Sequence, residues 1–415
     1  MDNKPEPQTA EFHFDPADPA TAADPGPAYS ELRARCPFYH LQTPQQEYWI
    51  SSDYNEVRNH ILQDNPVWSF KWGNAAKDTA HDTGIVTDPP FHNEFRALLL
   101  PGFTPKALAL FKPRVEQLAN SLIDRMLERG GGDLHDDFAL PLPAQVMCIM
   151  LGAPAEDYPR YKHWADELQA LMFHDPKPGS HKQLFAEIYQ HFIGLVNQRR
   201  ALLTQAGIAE PELEHLGTVL PDDYMARAIC SRVEGRRLTD MEIVNICATF
   251  LTGGQETTTG LITNLLWRLL EKPERWERVK ADPKLIDVAV EESLRHDPPV
   301  LAHFRTSLCP VNMHGEEIPE HAKLMFSIAG VNRDPAKFKD PDSFNLDRPL
   351  GEARQHLSFG AGVHFCIGAP LARIEGQVAL RLLTQRLPRL RLAGPTERIV
   401  TWMYWGRSKL PVAWD

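Results

Sequence analysis

Phe359-Gly360-Ala361-Gly362-Val363-His364-Phe365-Cys366-Ile367-Gly368-Ala369-Pro370-Leu371-Ala372-Arg373 surrounds one cysteine with three glycines and then turns helical. A loop with so few side chains can press its backbone against a flat ligand. Pro370 stands in the first turn of the helix, so unpaired N–H groups and the positive end of the helix dipole point back toward the Cys366 sulfur. Such donors favour the thiolate, the form that binds metals. One thiolate with no second Cys or His at metal spacing cannot close a tetrahedral zinc site, whereas haem iron needs a single proximal protein ligand. Haem therefore fits better than zinc. Taken alone, the segment also describes a buried structural cysteine in a glycine-rich turn.

Outward from this loop, composition narrows the function classes. The 415 residues are 43% hydrophobic, enough for a large core, and carry a formal net charge of −11. That acidic balance argues against sequence-independent nucleic-acid binding and against an anionic membrane surface. No run of 18 apolar residues occurs and the N-terminus lacks a signal-peptide pattern, so a cytoplasmic protein is expected. Cys36, Cys148, Cys230, Cys247, Cys309 and Cys366 include no C-x-x-C pair. The expectation is five ordinary buried thiols beside Cys366. There is no zinc-binding H-E-x-x-H and no phosphate loop, and Phe365 stands where a dinucleotide fingerprint needs its third glycine.

Residues 1–28, rich in Pro, Asp and Ala, read as an extended arm, with one large unit over 29–415. Apolar residues recur at three- and four-residue steps over 111–127, 158–171, 181–203, 239–271 and 285–295, which predicts helices. Strand signals occur at Tyr48-Trp49-Ile50 and over 311–328, where His314-Gly315 supplies a turn. The fold class is mainly α with a smaller β portion.

Thr239-Asp240-Met241-Glu242 resembles a capping box, and the pattern it opens meets no proline before Pro273. The prediction is one continuous helix of about 50 Å, apolar around most of its circumference and buried. In its middle stands Gly253-Gly254-Gln255-Glu256-Thr257-Thr258-Thr259. Each glycine costs about 1 kcal/mol relative to alanine in a helix. The glycines would remove bulk above a cofactor, and Thr257, one turn after Gly253, would open the ladder to dioxygen and water. A simple kink, with threonines bonded to the preceding turn, is the other reading.

Phe359, Gly362, Cys366 and Gly368 match the F-x-x-G-x-x-x-C-x-G signature of the cytochrome P450 family at every position, and the chain resembles a soluble bacterial member. The resemblance implies the P450 fold, with a long central helix over a buried haem b whose iron is held by Cys366. It implies that Glu256 and Thr257 are the family's acid–alcohol pair, relaying a proton to oxygen. Glu292 and Arg295 would be its E-x-x-R pair, joined by Arg348 of the F-x-x-P-x-x-F-x-x-x-R stretch to brace the core, although here that stretch reads Phe338-Lys339-Asp340-Pro341. His92, Arg96, Arg305 and His364 fall where family members contact the haem propionates, which need cationic or hydrogen-bonding partners. Gly253, Phe359 and Gly368 complete the expected cofactor set.

The segments resembling the family's pocket walls are poor in charge: Trp68, Phe70, Trp72, Thr249, Thr252, Val300, Leu301, Ala302, Met403 and Tyr404. A compact apolar substrate is expected, such as a terpenoid, an aromatic or a steroid-like compound. For a fatty acid, Lys71 or His303 would be the nearest cation. The implied activity is monooxygenation with O2 and two electrons from a separate ferredoxin or flavodoxin with its reductase, docking on a basic face that includes Arg373, Lys106, Lys112 and Arg114. Two alternatives are a haem-thiolate peroxygenase, which would not need the Glu256-Thr257 relay, and a haem-thiolate sensor, which would need an output module that the sequence does not display.

Overall fold

The predicted helical segments fold as helices, and the computed structural model describes them within residues 12–43, 46–63, 66–74, 86–173, 180–399 and 401–414. The helices that build the site are α1 (Phe91–Leu99), α2 (Pro105–Leu127), α3 (Pro141–Leu151), α4 (Tyr158–Phe173), α5 (Ser180–Gln205), α6 (Asp240–Gly254), α7 (Glu256–Leu270), α8 (Leu285–His296) and α9 (Ala369–Arg386). Among the described residues, no helix is long and apolar enough to cross a membrane. The arm expected to be extended is helical over Pro19–Ala23 and Pro25–Arg35. Each of these helices starts on a proline, whose fixed φ suits the first turn, and Phe14 before them is buried. Residues 1–11 of that expectation lie outside the described residues.

A five-stranded sheet lies beside the helices: β1 (Phe38–Gln42), β2 (Glu47–Ser51), β3 (Trp68–Ser69), β4 (Ala302–Ser307) and β5 (Lys323–Ser327), in the order β1-β2-β5-β4-β3. β4 pairs antiparallel with β5, Phe304 opposite Met325. The His314-Gly315 turn joins a small hairpin, Val311–Met313 against Glu316–Ile318, with both turn residues at positive φ.

The capping box forms as read. Thr239 Oγ1 accepts from the Glu242 N–H at 3.2 Å, and the Glu242 carboxylate accepts from the Thr239 N–H at 2.8 Å. The long helix, however, is not continuous, because it breaks at Gln255 into α6 and α7. Gly254 packs so tightly on α3 that an added Cβ would lie 2.2 Å from the Met147 sulfur, and Thr257 Oγ1 donates to the Gly253 carbonyl at 2.8 Å. That hydroxyl occupies a carbonyl that regular helix would give to the backbone. α7 then runs through the interior against α8 and α9, and α2 packs along α9. Two cysteines depart from the expected burial: Cys36 is half-buried and Cys309 is exposed in a turn.

Candidate functional site

The break in the central helix and the cysteine loop face each other across two adjoining cavities of about 330 and 320 Å³. Gly253, Thr257, Thr258, Phe359, His364 and Cys366 line both. An added Cβ at Gly253 would meet nothing within 4 Å, so this glycine leaves open space, whereas its neighbour Gly254 serves packing.

On the opposite wall, Gly360 and Gly362 adopt φ of +68°, and a Cβ on Gly362 would lie 2.3 Å from the Leu62 carbonyl oxygen. This turn lets the Cys366 N–H bond to the Phe359 carbonyl at 2.9 Å. Cys366 lines both cavities and keeps accessible surface, while protein surrounds its thiol. Burial pushes its pKa up, against the N–H groups of Gly368 and Ala369 and the charges of Arg96 and Arg373. The helix-start donors expected from the sequence are present, but burial outweighs them. A bound cation would tip the balance to the thiolate.

Four basic side chains meet at the cavity edge. The His92 and His364 rings lie 4.2 Å apart, and the Nε2 of each is buried without a partner. Burial, with Arg305, His92 and Arg96 adding, pushes His364 down to about 2, and burial also lowers His92. Arg305 lies 4.4 Å over the Phe70 ring, bonds among the described residues only to the neighbouring carbonyl of Phe304, and is lowered by burial to about 10. Arg96 makes no hydrogen bond among the described residues. Buried donors without acceptors are costly unless a ligand supplies the acceptors. Apolar walls, a thiol on one face and unpaired cationic donors at an edge fit haem: a flat apolar ring with a metal at its centre and carboxylate arms.

Thr257 faces the cavities, but Glu256 does not line them. Its Oε2 lies 3.8 Å from Lys162 Nζ on α4 with no hydrogen bond, and burial raises its pKa against that lysine. Behind the loop, Arg295 Nε and Nη2 each donate to Glu292 at 2.8 Å, and Arg348 Nε donates to the same carboxylate at 2.9 Å. All three residues are buried. Arg295 also reaches the carbonyls of Asn332, Pro341 and Ser343, and Phe338, Pro341, Phe344 and Arg348 stand at the fixed positions of the family stretch.

Half of the expected pocket wall reaches the cavities: Phe70, Thr249, Thr252, Val300 and Tyr404. Trp68 is instead buried core on β3, and Trp72 turns to His321 with ring centroids 5.5 Å apart. Leu301, Ala302 and Met403 belong to the core beneath the sheet. The physical reason is strand parity: consecutive residues on β4 face opposite sides, so Ala302 packs inward while His303 faces the cavity. Arg373 is likewise no free docking residue, because it donates to buried Glu291 at 2.6 Å and covers the Phe359 ring. Sequence reasoning missed Asn74, Phe103, Phe250 and Glu375 as cavity residues. Glu375, held well above the usual carboxylate range by burial, carried one signal: a charged residue on the apolar side of α9.

Residues 23–390 match the family model described as Cytochrome P450. The chain is 34% identical over 407 residues to the cytochrome P450 monooxygenase PikC of Streptomyces venezuelae, covering 95% of this chain and 92% of that one. Among solved structures, the myxobacterial cytochrome P450 CYP267B1 in complex with myristic acid superposes with a TM-score of 0.84 at 28% identity, covering 96% of this chain and 98% of that one. CYP109E1 from Bacillus megaterium in complex with testosterone gives 0.79 at 28% identity, covering 94% and 99%.

Proposed function

The chain belongs to the cytochrome P450 family, whose members are haem monooxygenases, and on that premise we propose that it oxidises a compact, largely apolar molecule held between the helix break and the cysteine loop. The observation that carries the site assignment is the Cys366 thiol lining the cavities beside four basic side chains that, among the described residues, bond to no carboxylate. Cys366 would hold the iron, and His92, Arg96, Arg305 and His364 the propionates. Gly253, Phe359 and Gly368 would shape the faces. Haem bound in this way supplies dioxygen activation, and a thiolate ligand favours O–O cleavage.

The chain's own residues would bring the proton. Glu256, turned toward Lys162 and with its pKa raised by burial, would take a proton on the α4 side. Thr257 Oγ1 would deliver it into the cavity. The arrangement favours a monooxygenase over a peroxygenase or a sensor, neither of which needs such a relay. Apolar walls from Phe103, Phe250, Val300 and Leu261 stabilise an apolar guest by roughly 25 cal/mol per Å² removed from water. The relatives' ligands, testosterone in one and myristic acid in the other, bracket this class.

Electrons would come from a ferredoxin or flavodoxin with its reductase, in the cytoplasm, docking on the cysteine side. There α2 runs along α9, and Lys106, Lys112 and Arg114 on α2 are exposed. Reduction should therefore slow as salt rises. The deciding experiment selects a ligand by low-spin to high-spin titration of terpenoids, aromatics and steroids, then runs turnover under 18O2. One labelled oxygen per product is expected. Unlabelled product, formed equally well from hydrogen peroxide without electrons, would support the peroxygenase instead.

A further inference from the structure

We infer that His303, held by Asn74, is a hydrogen-bond donor that orients the substrate through a carbonyl oxygen. The inference rests on the monooxygenase reading only in taking this cavity as the substrate's.

His303 and Arg305 share the cavity face of β4, while Ala302 and Phe304 between and beside them pack into the core. The Nδ1 of His303 lies 2.7 Å from Nδ2 of Asn74, and Oδ1 of Asn74 accepts the Phe304 backbone N–H at 2.8 Å. The backbone donor fixes the amide: its oxygen is occupied, so the NH2 group faces the imidazole. Nδ1 must therefore accept, and the single proton of the neutral ring sits on Nε2. The ring is neutral at ordinary pH because burial and the nearby Arg305 charge push its pKa to about 3. Its Nε2 meets no partner among the described residues.

The result is one N–H with a fixed direction on a wall that sets Val300, Leu261 and Phe326 beside polar groups such as Thr252, Arg305 and Tyr404. A donor left unpaired in this way favours a guest that brings an acceptor, and it discriminates against an isosteric hydrocarbon. Because the ring carries no charge, it is not the cation that a fatty-acid carboxylate would require. Arg305 on the same strand face remains available to a propionate.

The test uses trans-decalin and trans-2-decalone, alike except for the carbonyl, each titrated into the holoprotein by its spin-state shift. His303→Leu, which keeps an apolar side chain but has no donor, should move the decalone-to-decalin Kd ratio toward decalin by about five- to tenfold, the worth of one neutral hydrogen bond. Asn74→Leu, which frees the ring to turn and change tautomer, should move the ratio part of the way, and it answers the question alone if the first variant fails to fold. The rate of haem transfer to an acceptor apoprotein should stay unchanged in both. An unchanged ratio overturns the inference. So does an unchanged ratio with faster haem loss, which would assign Nε2 to a propionate. Failure of the monooxygenase reading would show separately, as absence of the red-shifted ferrous–carbon monoxide band in the parent protein.

Discussion

Two of the places where the protein buries positive charge treat it in opposite ways. In the Glu292–Arg295–Arg348 cluster, Arg295 and Arg348 both meet the Glu292 carboxylate, and Arg295 fills its remaining donors with three backbone carbonyls. At the cavity edge, among the described residues, Arg96 and Arg305 face no carboxylate at bonding distance, and His92 and His364 each bury an Nε2 with no partner. Burial costs the charged groups in both clusters, and the difference lies in compensation. A satisfied cluster is finished within the polypeptide and acts as a brace. An unsatisfied one is finished only by a ligand.

Breaking the brace should have the larger effect. Glu292→Ala strands the buried Arg295 guanidinium and takes one of two carboxylates from Arg348, and is expected to cost about 3–5 kcal/mol in urea unfolding, with or without haem. Opposite signs are expected at the cavity edge, where Arg305→Leu removes an unpaired buried charge. The apoprotein should unfold at equal or higher urea, while haem should transfer to an acceptor apoprotein roughly ten- to a hundredfold faster, the worth of one charged hydrogen bond. Equal destabilisation of apo and holo forms would erase the distinction between the clusters.

Acidity sharpens the same contrast. His364 is held near 2 and His92 is also lowered, so the unfolded chain takes up protons near pH 6.5 that the folded apoprotein refuses. A group whose folded pKa is depressed in this way loses stability as pH falls through the unfolded value, by about 1 kcal/mol per pH unit for His364, with His92 adding in the same direction. The urea midpoint of the apoprotein should drop between pH 7.5 and 5.5, and by less in the holoprotein, where a propionate would favour protonated rings. The smallest structural effect belongs to Thr257→Ala. It loses only the bond to the Gly253 carbonyl, so stability and haem content should hold while product formed per electron falls several-fold. Unchanged coupling would remove Thr257 from proton delivery.

These contrasts were unevenly legible in the sequence. The cysteine loop was readable because a left-handed turn against the Leu62 carbonyl admits only glycine, which fixes residue type and spacing together. The brace was readable because Glu292 and Arg295 share one helix face and Arg348 completes a known spacing. The break at Gln255 was not, since glycines and threonines fit a continuous helix or a broken one, and only packing on Met147 with the Thr257 bond decides. The pocket was half readable. Strand parity alone would have separated His303 from Ala302, but nothing local marks Asn74, 229 residues away in sequence, as the group that fixes its tautomer.

The central claim is that Cys366, and no other cysteine, supplies the thiolate across from the helix break. The measurement is the reduced carbon monoxide difference spectrum of the parent protein, Cys366→Ala and, as a control in the exposed turn, Cys309→Ala. A red-shifted Soret band is expected in the parent and in Cys309→Ala, and its loss in Cys366→Ala. A red-shifted band that survives in Cys366→Ala would contradict the claim.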